Sequence, residues 1–262
     1  MSSLLAALWA EGLKARRSRV IAATAAAFLL LPVVDGFFMI ILKNPERARA
    51  LGLISAKAQL LAGVADWPTF LQILLQGTAV AGAMLFAFAS TWVFGREFSD
   101  HTAKELLAIP TRRATIVAAK LLLTASWAMG LTLAMFLLGL GIAKAVDIPG
   151  WSSELARTSF ADLLLTAVLT YLLMPLVALF ASMGRGYLLP LGWALGTMAL
   201  AQIAAVLGWG DYFPWAVPAL TSGVLGPRAE QVGLHSYLSV LLVFAAGTLG
   251  TFIWWRSADQ SR

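Results

Sequence analysis

Cysteine is absent from the 262 residues, and His101 and His235 are the only histidines. The first absence removes disulfides, thiolate zinc sites and cysteine nucleophiles together, and the second leaves two isolated imidazoles as candidate metal or acid–base groups. Charge is scarce too: 12% of residues are Asp, Glu, Lys or Arg, about half the share of a soluble domain. Nor is there a G-x-x-x-x-G-K-[ST] segment, a G-x-S-x-G elbow, an H-E-x-x-H pair or an acidic cluster inside an apolar run. No nucleotide site, nucleophile–base pair or metal site is therefore expected on this chain. Covalent catalysis is excluded on the same grounds, and any work the protein performs draws its energy from a partner or an ion gradient.

What the sequence has instead is apolar residues, 60% of the total. A soluble fold of this size could not hide so many without exposing large patches, so lipid is the solvent for most of the surface. About 20 apolar residues make one crossing of a ~30 Å hydrocarbon core. Six segments qualify: 20–42, 70–94, 121–143, 163–184, 187–208 and 236–255. The first is interrupted by Pro32 and Asp35, and Pro175 and Pro190 are expected to kink the fourth and fifth. The class is all-α, a single polytopic membrane domain over residues 1–262 with no repeat and no separate soluble unit. Residues 1–19 place their basic cluster after the apolar stretch, the reverse of a cleavable leader. Leu4, Leu5, Leu8, Trp9 and Leu13 recur at helical spacing, which predicts a helix lying in the membrane interface.

The formal charge of +6 reports orientation rather than nucleic acid. With the N-terminus inside, twelve of the nineteen cations fall on the cytoplasmic side: Lys14, Arg16, Arg17, Arg19, Arg96, Lys104, Arg112, Arg113, Lys120, Arg185, Arg256 and Arg262. The positive-inside rule then puts both termini in the cytoplasm. Lys43, Arg47, Arg49 and Lys57, in the first external loop, run against that assignment.

Asp35 is the one acid within an expected crossing, and an ionisable group at such depth is either a lining for a translocation path or a structural hydrogen-bonding group. Tryptophans gather near the ends of the crossings, among them Trp67, Trp151, Trp209, Trp254 and Trp255, as an aromatic belt would require. The external segment 209–235 holds Pro214, Pro218 and Pro227 around an apolar run too short to cross. It reads either as a re-entrant hairpin shielded by protein or as a loop lying flat with Phe213 and Trp215 in the headgroups.

The long cytoplasmic loop is Gly95–Lys120, GREFSDHTAKELLAIPTRRATIVAAK. Asp100 or Thr102 can cap a short helix there, Glu105 lies in its first turn and Pro110 stops it. Phe98, Leu106, Leu107 and Ile109 give it an apolar face for a groove on a soluble partner. Glu97 and Arg112 stand at the two roots, where charges can hold the loop's angle.

This loop resembles that of the ABC-2 type permease family, E-[FY]-x-x-G-T-x-x-x-L-L-x-x-P-x-[SR]-R followed by a lysine. Glu97, Phe98, Thr102, Leu106, Leu107, Pro110, Arg112, Arg113 and Lys120 fall on the pattern, with His101 where the family has glycine. The interfacial N-terminal helix, the six crossings and P-W-x-x-P at Pro214, Trp215 and Pro218 agree with it, and the permeases of bacitracin- and lantibiotic-resistance systems are similar. The resemblance implies that residues 95–120 carry a coupling helix docking a separate soluble ATPase subunit, which holds ATP and Mg. It also implies a second permease subunit, as homodimer or heterodimer, in a bacterial cytoplasmic membrane. Export of an amphipathic, lipid-like or antimicrobial-peptide cargo follows as the expected function. The competing readings are a gradient-driven carrier using Asp35 and a non-transporting membrane scaffold, both from the residues alone.

Overall fold

The computed structural model of the chain describes residues 3–44, 46, 52, 63–100, 102, 105, 111–225 and 232–257. Regular structure among them is entirely helical: α1 (Ser3–Arg16), α2 (Arg19–Lys43), α3 (Trp67–Ser99), α4 (Arg113–Val146), α5 (Ser153–Leu172), α6 (Met174–Met183), α7 (Leu188–Val206), α8 (Val217–Thr221) and α9 (Leu234–Ser257). Six stretches are long and apolar enough to cross a membrane, α5 and α6 together making one of them. The expected all-helical, six-crossing class is present.

Local chemistry explains where these helices begin. Ser18, Asp66 and Ser152 each accept a hydrogen bond from a backbone N–H in the first turn of α2, α3 and α5, meeting donors the helix leaves orphaned. Pro32 does not break α2, which runs unbroken past it; proline is tolerated in a membrane helix where neighbours re-satisfy the freed carbonyl. The chain does break at Leu173, just ahead of Pro175, which separates α5 from α6. Pro190 sits in the first turn of α7, where its missing N–H costs little.

Both α3 and α4 overshoot their apolar windows, at 33 and 34 residues. At 1.5 Å per residue each is about 50 Å long, well beyond the ~30 Å hydrocarbon core. Gly95–Ser99 and Arg113–Lys120 therefore belong to helices, and the connection between them is shorter than the loop read from hydropathy. That overshoot carries Glu97 and Lys120 beyond the fully apolar stretch.

Buried hydroxyls within the crossings turn back on their own helices. Thr78, Thr132, Thr170, Ser182 and Thr251 each donate to the carbonyl four residues earlier, which satisfies them without water. The tightest approach is between α9 and α6. A Cβ on Gly247 would fall 2.7 Å from the Cα of Leu176 and from the carbonyl carbon of Pro175, so only glycine lets the two backbones meet there. Thr251 bonds across the same seam to the Pro175 carbonyl.

At the bundle end away from α1, the chain after α7 folds back through two 3-10 turns, Gly210–Tyr212 and Pro214–Ala216, into α8. Ala216, Val217, Pro218 and Leu220 are buried. Trp215 meets Trp193 edge-on at 6.0 Å, and Gln72 of α3 donates to the Ser222 carbonyl at 2.8 Å. His235 of α9 reaches Asp211 at 3.0 Å. From Ala216 to Leu220 the segment is packed on protein, while Trp209 and Tyr212 stay exposed. The aromatic belt needs a correction as well: Trp209 and Trp151 are exposed, whereas Trp67 and Trp255 are buried, and the Trp255 indole donates to Ser182 at 3.0 Å.

Candidate functional site

Four charged side chains from three helices meet where α3 ends and α4 begins. The ammonium of Lys120 is fully buried, with Glu97 2% and Glu11 5% exposed beside it. Its three donors are all used: Glu97 Oε1 at 3.0 Å, Glu11 Oε2 at 3.0 Å and the Val93 carbonyl at 2.9 Å. Lys14 closes the ring from α1, donating at 2.8 Å to Glu11 Oε1 and at 2.8 Å to Glu97 Oε1. Two acids and two cations sum to zero, the condition under which buried charge is tolerated. Burial alone would lower the Lys14 pKa, yet hydrogen bonds and charge from Glu11 and Glu97 raise it above its ordinary value.

The second carboxylate oxygen of Glu97 accepts from Thr102 at 2.8 Å. Thr102 is the second residue past the C-cap of α3, so the connection is tied to the ring at that residue. The neighbouring contacts fix the same region to the end of α9. Phe98 packs edge-on against Trp254 and Trp255, with ring centroids 5.5 and 5.9 Å apart. Arg113, in the first turn of α4, donates to the carbonyls of Trp255 and Arg256 at 3.2 and 3.3 Å. Both roots of the connection are thus held, one through Glu97 to α1 and α4 and the other through Arg113 to α9. Such an arrangement cannot perform bond chemistry; it can transmit force between a loop and the helices on which the loop stands.

Comparison with known proteins agrees with that mechanical character. The family described as ABC-2 family transporter protein matches residues 7–199, a stretch that contains all four residues of the ring. The chain belongs to the ABC-2 transporter family. It is also 25% identical over 195 residues to the bacitracin transport permease protein BCRB of Bacillus licheniformis, covering 73% of this chain and 91% of that one. No solved structure matches. An ABC-2 permease is the non-catalytic transmembrane subunit of its transporter, and ATP is bound by an ATPase partner.

Of the loop residues singled out in the permease's sequence, Glu97, Phe98, Thr102 and Arg113 gather at the roots of the connection. Arg112 is the N-cap of α4 and makes no side-chain capping bond; the charges that pair with Glu97 are Lys120 and Lys14. Asp100 caps the end of α3 rather than opening the next helix. Leu106, Leu107 and Pro110 lie outside the described residues, as does His101. Asp35 is buried in α2 beside Gly36, which lies directly against Ile142 of α4, and no hydrogen bond or ion pair engages it among the described residues.

Sequence reasoning missed Glu11 as a functional residue, took Lys14 as a topological anchor, and placed Lys120 on the family pattern without a partner. On α1, Leu5 and Trp9 are exposed, at 55% and 67%, while Glu11 turns inward onto α4. A signal was available: Glu97 and Lys120 are opposite charges on facing helix extensions, and Glu11 and Lys14 repeat that pairing one helical turn apart.

Proposed function

We propose that this permease works as one of two membrane subunits of an ATP-driven exporter whose soluble ATPase docks on residues 100–112 in the cytoplasm. The observation that carries this reading is the convergence of Lys14, Lys120 and Thr102 on the single carboxylate of Glu97. A push on the docked loop reaches Thr102, then Glu97, and through it α1, α3 and α4 as a unit. Rigid-body tilting of α3 and α4 would then move access from one face to the other. Both termini lie in the cytoplasm in this scheme, in keeping with the cation bias.

A second copy, or a related permease, supplies the other wall of the path. Two of the cavities between the helices hold about 20 and 10 Å³, too little for a cargo of many atoms, which supports a path between subunits. The cargo class is amphipathic: a lipid-like molecule or an antimicrobial peptide, which fits the relative named for bacitracin transport.

Glu97→Gln tests the coupling role. The amide still accepts hydrogen bonds, and Lys14, 30% exposed, can carry the uncompensated charge toward water. The variant should keep its ATPase on co-purification but transport fewer cargo molecules per ATP hydrolysed in proteoliposomes. An unchanged ratio would remove Glu97 from the coupling path. Asp35 is assigned to the lining of the path, because it is the buried acid on α2 without a described partner. Asp35→Asn should assemble normally and alter transport modestly; transport equal to that of the parent would make Asp35 a structural residue.

A further inference from the structure

Next to the charged ring, a cavity of about 410 Å³ opens between the α1–α2 turn, the last turns of α3 and Tyr187 ahead of α7. Its wall includes Lys14, Arg17, Arg96, Asp100, Trp92 and Tyr187. Lys14 is neutralised by the ring, which leaves two arginines facing one acid. The guanidinium of Arg96 lies 4.7 Å over the Trp92 ring, a cation–π contact that holds it in place. Its Nε is buried with no acceptor, because the Asp100 carboxylate stays 3.8 Å away and more than half exposed. Arg17 is exposed, and its guanidinium engages no hydrogen bond or ion pair among the described residues. A buried donor left unmet, a free guanidinium beside it and a roomy opening together call for an anion with several oxygens.

We propose that this pocket binds the phosphate headgroup of an anionic phospholipid. A phosphodiester offers acceptors to both arginines, and guanidinium groups match phosphate geometry better than ammonium does. The lipid source, rather than soluble phosphate, follows from the surroundings. Leu13 on the cavity wall is 37% exposed, and Leu188 and Leu189, directly after Tyr187, are 89% and 50% exposed. Acyl chains have an apolar surface to lie on directly beside the headgroup site. Basic pockets between membrane helices recognise anionic headgroups on this principle. Because Lys14 belongs to both the cavity and the ring, an occupied headgroup site sits against the coupling ring itself. Placing the lipid in the inner leaflet rests on the orientation proposed above; the binding itself does not.

The test uses the intact permease in nanodiscs holding equal phosphatidylglycerol and phosphatidylcholine, with retained lipids counted by native mass spectrometry. Phosphatidylglycerol should be retained selectively. Each arginine near the membrane surface should account for roughly a fivefold preference, so Arg17→Gln weakens retention by about that factor and Arg17→Gln with Arg96→Gln by about twenty-five-fold. Arg17 is exposed, so its single variant reads binding without disturbing the core. Retention of phosphatidylglycerol unchanged by Arg17→Gln and by the double change would overturn the proposal. Inorganic phosphate displacing no lipid supports it, whereas phosphate protection in phosphatidylcholine discs without lipid preference overturns the lipid assignment. Tagging the loop for sidedness is a separate measurement: an external loop would refute the orientation and leave the retention result standing.

Discussion

Lys120→Met will destabilise the permease more than any other single change at the charged ring. Methionine matches the lysine stem in shape but leaves Glu11 and Glu97 facing each other, with only half-buried Lys14 between them. Breaking a buried ion pair by removing one partner typically costs about 3–5 kcal/mol, because a desolvated charge remains uncompensated. The expected result is a clear drop in melting temperature in detergent, read by the fluorescence of the ten tryptophans, with faster proteolysis at the α3–α4 connection. Restoring charge balance should recover much of the loss. Glu11→Gln added to Lys120→Met leaves Lys14 paired with Glu97, so the double variant should melt above the single one. If Lys120→Met melts with the parent, or the double variant melts below the single one, the ring is not a closed unit in the folded protein.

The second large effect concerns assembly. Leu106→Ala with Leu107→Ala should release the ATPase during co-purification while membrane insertion stays normal. The two leucines form the apolar centre of the expected docking helix, and truncating an anchor at the centre of a small interface often costs ~2 kcal/mol or more. That corresponds to roughly thirtyfold weaker association. Support for the location comes from the loop's own roots: Thr102 is fixed to Glu97, and Glu105 is helical. Glu97→Gln and the leucine pair should therefore separate cleanly, one losing coupling and the other losing the partner. Full ATPase retention by the leucine pair would refute the docking assignment and favour a membrane scaffold.

The six crossings were legible in the sequence because each is written locally. A run of apolar residues long enough to span the hydrocarbon core declares itself with no knowledge of its neighbours. The capping residues Ser18, Asp66 and Ser152 are equally local, whereas α2 running unbroken past Pro32 depends on neighbours that re-satisfy the freed carbonyl. The candidate site divides differently. Glu97, Phe98, Thr102 and Arg113 could be picked out because they stand together in one short segment, in an order that resembles a family's.

The partners of those residues could not be read that way. Lys120 meets Glu11 across 109 positions of chain and Glu97 across 23, and Phe98 meets Trp254 and Trp255 near the far end of the sequence. A charge on an apolar chain carries the same local signature whether it faces water, lipid headgroups or another charge. Lys14 was therefore legible as a membrane-side cation and Lys120 as the lysine of the family pattern, but not the buried partners of either. Class, crossing number and the location of the loop come from short-range hydrophobicity, which depends on residues adjacent in the chain. The identity of the buried ring came only with the packing of α1 against α4 and α3, because pairing desolvated charges depends on distances that helix packing alone sets.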